Sequence, residues 1–239
     1  MIPKKIYRSW YTQNFHYKVH NQMAKMNKLN PDYEQIIYTD EQVNDYINSN
    51  FSKEIINAFN KLNIMTARID FWRYLILYQN GGIYLDIDSC INKKISSFLN
   101  NDDDALITAE TNPGLFVQWA LFFIKKHPIL EIVIENVVKN IETNKFHNDI
   151  INLTGPGAFT EALSSIHKKY QKNELIWGEL NENYDEKFLF NYGGKTFNYR
   201  IYGFDYNKKL TFKFKNSHYL YKDKLHWQQE LKNSKLVKF

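Results

Sequence analysis

Residues 64–88 constrain the fold more than any other stretch of this chain. Apolar side chains recur at Ile69, Trp72, Leu75, Ile76 and Tyr78, close to a helical repeat over residues 64–80. The pattern stops at Gly81-Gly82, which supplies a residue able to take a positive φ and end the helix. Ile83, Tyr84, Leu85, Asp86, Ile87 and Asp88 follow without a linker and alternate as a strand does. The spacing thus predicts a helix running straight into a strand that ends in two carboxylates.

The flanking sequence continues the alternation of elements. Residues 5–10 read as a first buried strand and 33–38 as a second, after a turn at Asn30-Pro31-Asp32. Asp40 is placed to cap a helix over residues 41–48, and residues 51–60 carry another short helical pattern. Residues 105–109 read as a strand, and 116–126 and 129–140 as two helices separated at Pro128. Asn152 to Gly157 read as a loop that opens a helix over residues 158–168. Residues 175–177, 197–204 and 210–214 look like late strands. Strands alternating with helices predict an α/β fold, its mostly parallel central sheet flanked by helices. No repeat, low-complexity linker or sharp boundary divides the chain, so residues 1–239 are expected to form a single domain.

Chemistry concentrates at the end of the 83–88 strand. Alternate side chains of a strand share a face, so Tyr84, Asp86 and Asp88 are expected to point one way and Ile83, Leu85 and Ile87 the other. Two neighbouring carboxylates repel unless a cation sits between them. Hard divalent ions such as Mg²⁺ and Mn²⁺ prefer oxygen ligands and bridge to substrate phosphates. Ligands of open α/β sheets bind beyond the carboxyl ends of the strands. Asp70 and Arg73, one turn apart on the preceding helix, share a helix face. They read either as an intrahelical ion pair or as two further walls of the same pocket.

Composition narrows the function classes. With 44% hydrophobic residues, 17 Tyr and 17 Phe among 239 residues, the chain can build a packed core. Its single cysteine, Cys90, excludes an internal disulfide and a zinc–thiolate site, and reads as a small buried hydrophobe. The net charge of +5, with Lys208, Lys209, Lys213, Lys215, Lys222 and Lys224 in the last quarter, suits an anionic small ligand, a nucleic acid or a membrane surface about equally, and simple solubility accounts for it as well, since acids are mixed in over most of the chain. No RNA-binding signature accompanies it, and no nucleic-acid partner is expected. The first residues lack the apolar centre of a signal peptide, and no run approaches the roughly 20 apolar residues that span a bilayer. The expectation is a cytoplasmic protein without a transmembrane segment, the basic excess leaving room for peripheral membrane contact.

The run from Ala67 through Arg68, Asp70, Arg73-Tyr74, Gly81-Gly82 and Asp86-Ile87-Asp88 resembles the signature of the family 32 glycosyltransferases, whose Asp-x-Asp motif binds a nucleotide-sugar. The family includes yeast-type initiating α-1,6-mannosyltransferases, and the sugar-transferring domains of large clostridial toxins share the pattern. Ile2 to Trp10 resembles the family's opening strand, and Leu153-Thr154-Gly155-Pro156-Gly157 its Thr-Gly-Pro-Gly loop. Ser217-His218-Tyr219 with Trp227 loosely resembles its C-terminal His and Trp, at a longer spacing. The resemblance implies a GT-A (Rossmann-like) nucleotide-sugar-binding fold and a retaining, metal-dependent hexosyltransferase. It implies a UDP- or GDP-hexose donor and a glycan, lipid-linked sugar or protein acceptor. Asp88 would ligate Mn²⁺ or Mg²⁺ directly, and Asp86 would touch ribose and sugar, reaching the metal through water. Asp70 and Arg73 would grip the sugar, and Tyr84 would line the donor site. Trp10 would stack on the base, unless it is a core residue of its strand. His218 is the candidate second metal ligand, with His226 as competitor. Thr154 and Gly155 open a helix where free amides suit an anion, phosphate or acceptor; a plain helix cap is the alternative. Glu110 is assigned to the acceptor side.

Two other classes use similar residues. A metal-dependent phosphohydrolase also pairs carboxylates at a strand end, but the preceding Asp70/Arg73 helix and the absence of a P-loop disfavour it. A non-catalytic carbohydrate-binding module would use the many aromatics, which here fall mostly within apparent core segments.

Overall fold

The structure is a computed structural model that describes residues 1–110, 114–166, 180–181, 183–204, 211–213, 220 and 227–238. Five strands of its main sheet share one direction: β1 (Lys5–Ser9), β2 (Glu34–Tyr38), β3 (Gly82–Leu85), β5 (Ala105–Ala109) and β8 (Lys195–Phe204). Parallel pairings join β1 to β2, β1 to β3 and β5 to β8. The strand β6 (Ala120–Phe123) runs antiparallel between β3 and β5, and β7 (Glu186–Tyr192) antiparallel on β8 at the edge. The order is β2-β1-β3-β6-β5-β8-β7. A separate two-stranded ladder pairs β4 (Ser89–Ile91) with β9 (Thr211–Lys213). This is the α/β, mostly parallel sheet that the alternation of elements predicts.

Helices cover the sheet because its strands are apolar on both faces. Tyr7, Tyr84, Ile107, Leu121 and Phe123 pack on one side. There they meet α2 (Asp40–Asn50), α3 (Lys53–Lys61), α4 (Met65–Asn80), α5 (Pro128–Thr143) and α7 (Pro156–Ile166). Ile6, Ile83, Leu85, Leu106, Ala120 and Phe122 face the other way, toward Met26 of α1 (Tyr17–Leu29), Ile91, Ile95 and Phe98. Alternating burial on opposite faces is what a period of two produces.

The predicted central helix is present as α4. Phe71, Trp72, Tyr74, Leu75, Ile76 and Leu77 are all buried, so several faces of this helix pack at once, and an amphipathic stripe describes it poorly. Gly81 ends it with φ of 66°, and Gly82 follows at 111°. A Cβ on Gly81 would lie 2.6 Å from the Lys125 amide nitrogen, and one on Gly82 2.7 Å from the Lys5 carbonyl oxygen. The pair is therefore required both by conformation and by the closeness of β1 and the chain after β6.

Three expectations need correction. Residues 116–126 do not form a helix: they hold β6, a central strand buried on both faces, whose continuous apolar run mimics a buried helix. Thr39, not Asp40, caps α2, its hydroxyl accepting from Gln42 N while Gln42 answers with its side chain to the Thr39 amide. The strand of residues 83–88 ends at Leu85. Residues 175–177 lie outside the described residues. Cys90 is buried, as expected. Among the described residues no helix is long and apolar enough to cross a membrane.

His127 opens α5 with Nδ1 accepting from Ile129 N, and its Nε2 lies 3.1 Å from the Asn198 carbonyl oxygen, within rings of Phe123, Phe190 and Phe197. Burial pushes its pKa down to about 4. A depressed folded pKa stabilises the protein above the unfolded value of about 6.5 and loses that contribution as pH falls through about 4, a span worth about 3 kcal/mol. His127→Asn replaces the capping ring nitrogen with a neutral amide oxygen and is expected to flatten the loss of urea stability between these pH values. Parallel stability curves for the two proteins would contradict this.

Candidate active site

The site lies where the order of strands reverses. The chain passes from β1 to β2 on one side and places β3 on the other, so a crevice opens beyond the carboxyl ends of β1 and β3. This switch point is where open α/β sheets bind ligands. Ser9 and Trp10 end one side of it, and Asp86 continues from the other.

Asp86 and Asp88 do not stand on one face of a strand. After Leu85 the chain turns, with the Ser89 amide donating to the Asp86 carbonyl at 3.0 Å and the Asp86 amide to the Trp119 carbonyl at 2.9 Å. The alternation of Ile83 and Leu85 against Tyr84 holds within β3; Ile87 leaves it to pack against Val19 and Leu220. Both acids thus belong to a turn that follows β3. Asp88 is 7% exposed, and the Asp86 side chain 23%.

Behind Asp86 stands a buried polar network. Tyr84 donates its hydroxyl to Asp86 Oδ1 at 2.9 Å. Arg73 Nη2 lies 2.9 Å from Asp70 Oδ1 and 3.3 Å from Asp86 Oδ1, so one guanidinium joins the helix carboxylate to the motif carboxylate. Arg73 also donates to the Gln118 carbonyl and sits 4.6 Å from the Tyr84 ring centroid. Asp70 accepts from Gln118 Nε2 at 3.0 Å and from Thr154 Oγ1 at 3.2 Å. The Tyr74 hydroxyl lies within 3.2 Å of Gln118 Oε1 and of the Thr154 and Gly155 carbonyl oxygens. Burial raises the Asp70 pKa despite the opposing Arg73, Gln118 and Thr154. Burial would lower that of Arg73, but Tyr84, Asp86 and Asp70 outweigh it and hold the guanidinium charged. Tyr84 is pushed well above the usual phenol range by burial, with Asp86 adding to the effect, so its hydroxyl keeps its proton and donates.

The geometry sorts the expected residues. Asp70 and Arg73, 4% and 3% exposed, are not an exposed ion pair. They are a buried pair tied to Asp86, and their contacts among the described residues are made inside the protein. Tyr84, also buried, reaches the crevice through Asp86. Thr154 is fully buried and holds Asp70. The Thr154 and Gly155 amides both donate to the Ile150 carbonyl of α6 (Ile150–Leu153), so they are not turned outward to an anion. A Cβ on Gly155 would come 3.0 Å from Ile150 O, which explains the glycine by close packing. Trp10 is half-buried at the end of β1, packed near Val19 and Ile87, so it edges the crevice rather than filling the core. Glu110 follows β5, at the carboxyl end of the parallel strands, its amide donating to the Leu115 carbonyl. His218, His226 and the Ser217-to-Tyr219 segment lie outside the described residues, as does the Trp227 side chain.

Two supporting residues escaped the sequence. Gln118 ties Asp70, Arg73 and Tyr74 together, and Arg8 on β1 donates to the backbone of the turn itself. A polar residue inside an apolar run was the signal in both cases: Arg8 among Ile6, Tyr7 and Trp10, and Gln118 among Phe116, Val117 and Trp119. Burial lowers the Arg8 pKa to about 10, which leaves it charged at neutral pH.

Among the described residues no three His, Cys, Asp or Glu side chains group to hold a metal. Asp86 and Asp88 still fit a hard divalent ion, which one or two carboxylates with substrate phosphates and water suffice to bind.

Comparisons with known proteins converge on one group. Residues 5–110 match the family described as "Glycosyltransferase sugar-binding region containing DXD motif". The chain is 28% identical to inositol phosphoceramide mannosyltransferase 3 of Schizosaccharomyces pombe, over 77% of this chain and 52% of that protein. It is 24% identical to the initiation-specific alpha-1,6-mannosyltransferase of Candida albicans, over 76% of this chain and 56% of that protein. An uncharacterized glycosyltransferase of Acanthamoeba polyphaga mimivirus is 25% identical, over 73% of this chain and 70% of its own. The chain thus spans about half the length of the first two curated relatives. Among solved structures, PaToxG glycosyltransferase superposes with a TM-score of 0.60 at 23% identity, covering 73% of this chain and 74% of that one. That likeness bears on the fold, which is of the GT-A type.

Proposed function

We propose that this chain, whose residues 5–110 match a glycosyltransferase sugar-binding region containing a DXD motif, moves a hexose from a nucleotide-diphosphate sugar to a hydroxyl acceptor with a divalent metal. The observation that carries this reading is the buried chain Asp70–Arg73–Asp86, which fixes a carboxylate at the sheet's switch point beside Asp88. A surface ion pair would need no such burial.

Asp88 and Asp86 would hold Mn²⁺ or Mg²⁺, which supplies positive charge to the departing diphosphate. Asp86, aimed by Tyr84 and Arg73, would orient ribose and sugar, an entropic contribution to the rate. Arg73 joins the two carboxylates and holds them in place, and its positive charge would support the developing negative charge of the leaving group. Trp10 would stack on the base. Glu110, at the same carboxyl end of the parallel strands, is assigned to the acceptor side. The resemblance to family 32 supports retention of configuration, through attack of the acceptor hydroxyl on the face the diphosphate leaves. Two of the relatives are named as mannosyltransferases, which makes a GDP-mannose donor and a glycan or ceramide-type acceptor the first to test, ahead of UDP-hexoses.

Trp10→Ala is expected to weaken nucleotide binding by about 1–3 kcal/mol, as removal of a base-stacking ring does. Discrimination between sugars on the same nucleotide should hardly change. Calorimetric titration checks this, and unchanged nucleotide affinity in a folded variant would contradict it. The function itself is tested with a panel of nucleotide-sugars and Mn²⁺, following release of the nucleoside diphosphate. Release from no donor would count against it.

A further inference from the structure

Arg8 is a cation that the fold buries completely, at 0% exposure, on a central strand. Burying a charge is costly unless its donors are used. One nitrogen, Nη1, donates at 2.7 Å to the Asp86 carbonyl and at 2.7 Å to the Ser89 carbonyl. Nη2 lies 3.8 Å from Met26 Sδ, and Nε has no hydrogen-bond partner among the described residues. These contacts are made to neutral acceptors, and two of them are the ends of the turn that presents Asp86 and Asp88. The turn's own closing bond, Ser89 N to Asp86 O, joins the same two residues.

A hydrophobe at this position would escape the cost of burying a charge but would take these donors from the Asp86 and Ser89 carbonyls. The charge is explained by what it grips. We propose that Arg8 is a positioning residue that clamps the Asp86–Ser89 turn from beneath, so that the two carboxylates stand in place before metal and donor arrive. The clamp crosses the switch point, from β1 to the chain beyond β3, and therefore ties the two walls of the crevice together. It rests on the reading of Asp86 and Asp88 as the metal-holding pair.

Two measurements test it. The first reads Mn²⁺ affinity, not turnover, from the EPR signal of free Mn²⁺ with saturating GDP and then UDP. Arg8→Met keeps the stem without a donor, and is expected to raise the Mn²⁺ half-saturation concentration about tenfold or more, as loss of a residue that orients metal ligands does. Arg8→Lys retains a cationic donor and is expected to stay within about threefold of the parent. Parental Mn²⁺ affinity in folded Arg8→Met overturns the proposal. The second needs no variant: in the metal-free protein the Ser89 amide is expected to exchange with deuterium about a hundredfold or more slower than an open chain. Exchange at the open-chain rate overturns the proposal even if Arg8→Met does not fold. If the parent protein binds no Mn²⁺ with either nucleotide, the functional reading fails, and Ser89 exchange in Arg8→Met against the parent still decides whether Arg8 holds the turn, faster exchange supporting the clamp and equal exchange overturning it.

Discussion

Asp88→Asn is expected to abolish sugar transfer, a loss of about a thousandfold or more, equivalent to about 4 kcal/mol in the barrier. The substitution keeps size and shape and removes one negative charge. Asp88 sits in a turn at the end of a strand, 7% exposed, so an amide there should be accommodated without refolding. Half the carboxylate charge available for a divalent ion disappears with it, since Asp86 is the other acid of the motif. The measurement is turnover at saturating Mn²⁺, with melting temperature as a control. Near-parental turnover in a folded Asp88→Asn protein would remove the metal from the account.

The second large effect belongs to Asp70 and Arg73. Had they formed an exposed pair, removal of either would cost at most about 1 kcal/mol of stability. Their burial changes the expectation. Arg73→Ala leaves Asp70 and Asp86 facing one another without the cation between them, a loss expected to cost about 3–5 kcal/mol of stability. Asp70→Asn keeps the shape, and Gln118 and Thr154 can still bond an amide after reorienting, so the fold should survive with a modest drop in melting temperature. Its turnover should still fall at least about a hundredfold, or about 2.7 kcal/mol, because Arg73 is then drawn to Asp86 alone. Full activity in Asp70→Asn would assign this network to stability and leave the motif carboxylates to act without it.

The helix–glycine–strand unit was legible because its signals are local. Helical spacing, two glycines and the alternation of Ile83 to Leu85 are all contained in residues 64–88, and α4 and β3 stand where that spacing puts them. The turn after Leu85 was not, because Asp86-Ile87-Asp88 continues the alternation while the backbone leaves the sheet. The role of β6 was hidden for a similar reason: a strand buried on both faces has no polar side to mark its period. What Asp70 touches could not be read from its helix, since Gln118 and Thr154 come from 48 and 84 residues further along the chain. Arg8 was hidden by habit: a strand arginine is ordinarily read as solvent-exposed, and only the strand order places it under the motif.

The central claim is that Asp86 and Asp88 hold a divalent metal for sugar transfer. Its most direct test is release of nucleoside diphosphate from a panel of GDP- and UDP-hexoses, with Mn²⁺ and again with excess EDTA. The account predicts release from at least one donor with Mn²⁺, none in EDTA, and recovery when Mn²⁺ is restored. Full turnover in EDTA, or no release from any donor by a protein that binds Mn²⁺ and nucleotide, would contradict it.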